Sequence, residues 1–184
     1  MLFIFSILIF LIEKFFLNSS IIVKQKNNNE IYRFLTKSPK SNIFKEIKLN
    51  FSNKTNLDII KDVIESLKNA GIKTAVISNK TDPAVQSLIK EYFPGLFLYV
   101  AGEKEGIKRK PAPDAVFSAI NELGVSITDT VYVGDSEVDI LTAENAGTDC
   151  ICVSWGFRDK EQLISKGADT VISHINELKD MLLK

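Results

Sequence analysis

The stretch TVYVGDSEVDILTAENAG, residues 130–147, decides the fold. Its opening TVYVG is short and almost wholly apolar, the pattern of a strand buried on both faces. The following EVDILTAENAG reads as a helix, and Gly147 is placed to close it. Between the two stands Gly134-Asp135-Ser136, and Asp139 follows one helical turn after Asp135. A buried strand that opens directly into a helix, with two carboxylates at the junction, suggests a hard divalent cation at the strand's carboxyl end.

The same strand-then-helix unit recurs on either side. KTAVIS predicts a strand, and DPAVQSLIKEYF a helix with Asp82 as N-cap and Pro83 at the first helical position. LFLYVA is the next strand, and PDAVFSAINELG a helix opened by Pro113 and ended by Gly124. Ahead of these, LDIIKDVIESLKNAG carries a helical stripe at Leu57, Ile60, Val63, Ile64 and Leu67, with Gly71 closing it. Beyond Gly147 come the strand CICVS, the helix DKEQLISKG, the strand TVIS and the helix INELKDMLL. Strict alternation with short connections implies an α/β fold: a three-layer, Rossmann-like parallel sheet with helices on both faces. In such sheets ligands bind beyond the carboxyl ends of the strands. The informative polar residues are therefore Ser78-Asn79-Lys80, the loop 102–110, and Gly134-Asp135-Ser136.

Composition narrows the function classes. A chain of 184 residues, 45% hydrophobic, can bury one proper core. Lys+Arg and Asp+Glu balance at 23 each, and no basic stripe carries interleaved aromatics, which argues against nucleic acid as a partner. Cys150 and Cys152 form a lone C-x-C, too close and too few for a disulfide framework or a zinc site. Two buried thiols on one strand face, in a reducing cytoplasmic compartment, is the expectation. His174, the one histidine, begins the last helix and reads as a cap or surface residue.

The N-terminal part differs. MLFIFSILIFLI is apolar except for Ser6, and Glu13-Lys14 interrupt it. It is shorter than the ~20 apolar residues of a spanning helix and lacks the basic start and cleavage site of a secretory signal. Residues 1–13 are therefore expected to be the first core strand, with an apolar membrane anchor as the competing reading. Residues 14–55 include the polar KQKNNNE and LTKSPKSN and predict a small helical insertion or a linker. Residues 56–184 form the regular α/β core.

The strand ends can be read as chemistry. Asp135 presents a carboxylate to Mg²⁺, and Asp139 can hold a metal-bound water or a neighbouring cation. Ser78 offers a hydroxyl and Asn79 an amide, both suited to phosphoryl oxygens near helix N–H groups. Lys110, in GEKEGIKRKPAPD, can neutralise charge on a phosphate, and Pro111 and Pro113 stiffen the loop after it. Taken singly, the two aspartates could cap a helix, Ser78-Asn79 could be a turn, and Lys108-Arg109-Lys110 a solvated face. Their joint appearance, each after a strand, describes a phosphoryl-transfer site.

The order VISNK, FPGLF, GEKEGIKRKPAPD, VYVGDSEVDI and WGF resembles the haloacid dehalogenase superfamily, and within it the phosphoglycolate phosphatases, over residues 56–183. The resemblance implies Mg²⁺-dependent hydrolysis of a small phosphorylated metabolite through an aspartyl phosphate. By position it makes Ser78 the phosphoryl-binding residue with Asn79 beside it, Lys110 the charge-neutralising lysine, Asp135 a metal ligand and Asp139 the supporting acid. Arg158, after the WGF stretch, is a residue that could reach substrate. The family also carries a D-x-D-G-T-[LV] motif after its first strand, the first Asp being the nucleophile, and a helical cap beyond it. Laid over LFIFSILIFLIE without gaps, that motif puts Ser6 at the nucleophile, Leu8 at the acid/base, Ile9 at the glycine, Phe10 at the threonine and Glu13 at the later acid. The first aspartate anywhere in the chain is Asp58. Three expectations compete: a phosphatase fold with very weak or no turnover, a non-catalytic phosphate- or Mg²⁺-binding module, and a truncated or mis-translated copy of an active enzyme. The cap is expected to be shortened or replaced by a disordered insertion.

Overall fold

The computed structural model describes residues 2–5 and 56–182. Strands β1 (Leu2–Phe5), β2 (Lys73–Thr81), β3 (Tyr99–Glu103), β4 (Thr130–Gly134), β5 (Asp149–Val153) and β6 (Thr170–Ile172) form one sheet in the order β3-β2-β1-β4-β5-β6. Every pairing is parallel. Helices α1 (Asn56–Asn69), α2 (Asp82–Tyr92), α3 (Asp114–Leu123), α4 (Glu137–Ala146), α5 (Lys160–Ser165) and α6 (Ile175–Leu182) lie between and after the strands. The chain winds outward in one direction through β1, β2 and β3, then returns to β4 and winds the other way. The switch falls between β1 and β4, where the connections diverge and leave a crevice.

Alternation along the strands sorts the core into two layers. On one face Val76, Val133 and Val153 meet Ile60, Val63, Ile64 and Leu67 of α1, Val85 and Ile89 of α2, and Leu178 of α6. On the other, Ala75, Ile77 and Tyr132 meet Ala115, Val116, Ala119 and Ile120 of α3 and Ala143 and Ala146 of α4. Each fully buried Val, Leu or Ile side chain contributes ~1.5–3 kcal/mol relative to exposure. The expected α/β architecture is the one observed, helices covering both faces of a parallel sheet.

Local signals act as expected at most helix ends. Gly124 and Gly147 both adopt the left-handed conformation that closes a helix, with φ of 59° and 76°. The cap of α2 is Thr81 and not the expected Asp82, whose carboxylate accepts the Gly102 N–H instead, and two strand boundaries also differ from the sequence expectation. β2 runs on through Ser78-Asn79-Lys80 to Thr81, with its pairing to β3 shifted between Ile77 and Thr81. β3 begins at Tyr99, because Leu96 is buried as part of the preceding loop, where the Thr74 hydroxyl donates to its carbonyl at 2.8 Å. No helix among the described residues is long and apolar enough to cross a membrane. Ser6, Leu8, Ile9, Phe10, Glu13 and the whole of 14–55 lie outside the described residues; β1 itself is paired in the middle of the sheet.

Candidate functional site

β4 delivers Asp135 to the crevice, and the tight turn into α4 delivers Asp139 beneath it. Gly134 makes that turn feasible: a Cβ there would lie 2.2 Å from the Asp139 Cβ. Asp139 is 1% exposed and sits in the first turn of α4. Its Oδ2 accepts the Asp135 N–H at 3.1 Å and the Ser136 hydroxyl at 2.7 Å. Its Oδ1 accepts the Lys110 ammonium at 2.8 Å and the Tyr132 hydroxyl at 3.3 Å. Asp139 is therefore no solvated cap but the centre of a buried network.

Lys110 arrives from the opposite side of the crevice, on the loop after β3. Its side chain is only 9% exposed. A buried ammonium needs a paired carboxylate and a fixed backbone, and both are present. Asn79, on the irregular end of β2, accepts the Lys110 N–H on its side-chain oxygen at 2.8 Å and donates its amide to the Lys110 carbonyl at 3.1 Å. The loop is tied further by Arg109, which pairs with Glu103 at 3.4 Å. Asn79, Lys110, Asp139 and Asp135 are thus linked in one chain of bonds across three strand ends. Ser78 is next to Asn79 and half-buried; its hydroxyl accepts the N–H of Lys80 at 3.2 Å.

Asp135 is buried, with 6% exposure. Its Oδ2 accepts the Phe157 N–H at 2.7 Å and its carbonyl accepts the Arg158 N–H at 3.2 Å. Burial first, and the Asp139 charge second, push its carboxyl up from 3.8 to about 6. Gly156 allows the loop this close, since a Cβ would lie 2.2 Å from Asp135 Oδ2. The Arg158 guanidinium forks onto Glu137 of α4, with Nε to Oε2 at 2.9 Å and Nη2 to Oε1 at 2.5 Å. That guanidinium holds Glu137 down at about 2.

The structure brings together five of the residues that the sequence singles out, Asn79, Lys110, Asp135, Ser136 and Asp139, and adds two supports that it does not. Tyr132 looks like plain strand core in the sequence, and the Phe157 contribution is a main-chain N–H. The glycine of Trp155-Gly156-Phe157 is the available signal for the second. His174 is exposed, and its N–H donates to Glu177 at the start of α6. Cys150 and Cys152 are free thiols on β5 with sulfurs 3.8 Å apart, Cys152 fully buried and Cys150 partly.

The pattern of the haloacid dehalogenase-like hydrolases matches residues 16–153. The chain belongs to that family. Among curated relatives, a phosphoglycolate phosphatase of Pseudomonas savastanoi pv. phaseolicola is 28% identical over 120 residues, covering 65% of this chain and 44% of the relative. A phosphoglycolate phosphatase of Yersinia pseudotuberculosis is 28% identical over the same length, covering 52% of that protein. The chain spans about half the length of these relatives. Among solved structures, a protein provisionally assigned as a phosphoglycolate phosphatase from Lactobacillus delbrueckii subsp. bulgaricus is 45% identical with a TM-score of 0.65, covering 66% of this chain and 51% of that one. CbbY from Rhodobacter sphaeroides, solved with xylulose-(1,5)-bisphosphate, is 30% identical with a TM-score of 0.52, covering 60% of this chain and 50% of that one.

Proposed function

We propose that this haloacid dehalogenase-like hydrolase chain keeps the phosphate- and Mg²⁺-handling side of a phosphoglycolate phosphatase-type site. It lacks the carboxylate that attacks phosphorus, so turnover of phosphate monoesters is absent or very weak. The observation that carries the reading is the buried Lys110–Asp139 pair, 2.8 Å apart and seated beside Asp135 at the sheet's switch point. An ion pair is costly to bury, and this one sits where a doubly wound sheet takes its ligand. The curated relatives support a small phosphorylated metabolite as the substrate class. The free thiols of Cys150 and Cys152 suit a reducing, cytoplasmic compartment.

The residues fit Mg²⁺. Asp135 offers hard oxygen donors, and its buried carboxyl gains most from a cation nearby. Among the described residues no group of three or more His, Cys, Asp or Glu could hold a metal alone. Mg²⁺ is often held by one or two carboxylates, with water and substrate phosphate completing its shell. When bound, the ion would neutralise charge on a phosphoryl oxygen. Asp135 would hold it, and Asp139 would fix both Asp135, through its N–H, and the Lys110 ammonium. Lys110 would balance the phosphate's remaining charge, with Asn79 fixing the Lys110 main chain and Ser78 offering a hydroxyl.

The missing element is the attacking group. No aspartate precedes Asp58, and the residue that comes after β1 is Ser6. An aspartyl phosphate is a mixed anhydride that water cleaves readily, whereas a phosphoserine is an ordinary ester and would stall. Loss of residues that act as a unit removes rate on the order of 10⁶-fold.

Hydrolysis of an aryl phosphate with Mg²⁺ tests this. The native chain is expected near background, and a Ser6→Asp, Leu8→Asp, Ile9→Gly, Phe10→Thr version to gain several orders of magnitude. Native activity that survives Asp135→Ala would overturn the metal assignment. A repaired chain that folds and stays inactive would overturn the placement of Ser6.

A further inference from the structure

The loop between β5 and α5, residues 154–159, is fastened to the site from two directions. Phe157 N–H donates to Asp135 Oδ2 at 2.7 Å, and Arg158 N–H donates to the Asp135 carbonyl. Behind them, the Arg158 guanidinium makes two bonds to Glu137 of α4 and lies over the Phe157 ring, 4.6 Å from its centroid. We propose that Glu137 and Arg158 are positioning residues: their ion pair latches this loop onto α4 so that the Phe157 amide aims the Asp135 carboxylate at the cation. The inference rests on the reading of Asp135 as the metal ligand.

Three observations carry it. An N–H on one carboxylate oxygen fixes the direction of the other, so the loop's place sets the ligand's orientation. Phe157 is 58% exposed, so core packing does not hold that part of the loop. Glu137 and Arg158 are 21 positions apart, on the two elements that must be joined, and meet in the bidentate geometry that keeps an ion pair useful near a surface. Gly156 completes the arrangement, because any side chain there would strike Asp135. The side-chain bonds of Glu137 and Arg158 run to each other and not to the Asp135 carboxylate, so the pair acts through the loop.

The test uses the full chain with Mn²⁺ as the probe, its affinity read by electron paramagnetic resonance, and amide hydrogen exchange read by nuclear magnetic resonance. Glu137→Gln and Arg158→Gln are each expected to weaken Mn²⁺ binding roughly ten-fold and to remove the protection of the Phe157 amide. The exchanged pair Glu137→Arg with Arg158→Glu is expected to recover most of both. Unchanged exchange at Phe157 overturns the latch. So does loss of protection at Ile151 and Val153 together with Phe157, because the pair would then hold the sheet and not the loop. A native chain that takes no Mn²⁺ overturns the metal site; Phe157 protection that is lost in the single variants and restored in the exchange still upholds the latch.

Discussion

Asn79 and Lys110 hold each other by a reciprocal pair of hydrogen bonds, the side chain of one closing on the main chain of the other at 2.8 and 3.1 Å. They lie 31 positions apart, Asn79 near the end of β2 and Lys110 on the loop after the neighbouring β3. Asn79 thus gives the Lys110 main chain the pairing that a strand neighbour would give, and the ammonium is delivered to Asp139 from a fixed base.

Removing that clamp leaves a part-buried N–H and carbonyl to find water. Asn79→Ala is expected to lower stability by about 2 kcal/mol, within the range for stranded polar groups. Asn79→Asp keeps the acceptor for the Lys110 N–H but sets a carboxylate oxygen against the Lys110 carbonyl, so it should not rescue the loss. Urea unfolding at neutral pH measures both. Equal stability of Asn79→Ala and the native chain would show that the loop is held by other contacts.

The Lys110–Asp139 pair is buried on both sides, which makes single truncations costly. Lys110→Met leaves Asp139 its bonds from Ser136, Tyr132 and the Asp135 N–H, whereas Asp139→Asn takes the carboxylate away from a buried ammonium. Asp139→Asn is expected to be the worse of the two, at ~3–5 kcal/mol. The double variant should lose clearly less than the sum of the singles. Additive losses in a denaturation cycle would mean that the two charges are not coupled.

The Asp135 carboxyl, pushed up from 3.8 to about 6, gives stability a definite pH sign in the metal-free chain. The folded state binds this proton more tightly than the unfolded state does. The contribution is therefore fully present below the unfolded value and lost as pH rises through the folded one. Stability should fall across that window by an amount on the order of 3 kcal/mol, carried mostly by burial. Asp135→Asn removes the slope. Denaturation in chelator from pH 4 to pH 7 decides it, and an Asp135→Asn chain with the native slope would place the titration elsewhere.

The sheet is legible in the sequence because its signals are local. TVYVG and EVDILTAENAG each state their own period, and Gly124 and Gly147 end their helices by conformation alone. β2 is longer than its apolar run suggests, because Ser78-Asn79-Lys80 interrupt the run while the strand continues through them with shifted pairing. Asp82 has the residue type and place of a cap, but Thr81 is the cap residue, and the Asp82 carboxylate reaches across to the Gly102 N–H at 2.8 Å. A carboxylate beside a strand end has two sets of donors available, and sequence spacing reports only the nearer. The Asn79 clamp and the Phe157 amide are hidden for related reasons: one partner is far along the chain, and the other is a backbone group with no residue signature.

Two glycines separate crowding from backbone strain. Gly147 has φ of 76° with nothing within 4 Å of an added Cβ, so Gly147→Ala meets only the conformational cost of a left-handed residue, ~1–2 kcal/mol. Gly134 lies outside the left-handed region, but an added Cβ would meet the Cβ, Cγ and Oδ2 of Asp139 at 2.2, 2.6 and 2.9 Å. Gly134→Ala must therefore push α4 or the Asp139 side chain away from β4, and overpacking of that kind costs about 1–3 kcal/mol or more. The displacement would also lengthen the bonds from Asp139 to Lys110 and to the Asp135 N–H. Gly134→Ala should accordingly lose Mn²⁺ affinity as well as stability, whereas Gly147→Ala, at the far end of α4, should lose stability alone. Measured side by side, equal Mn²⁺ affinities in the two variants would mean that Asp139 does not set the position of Asp135.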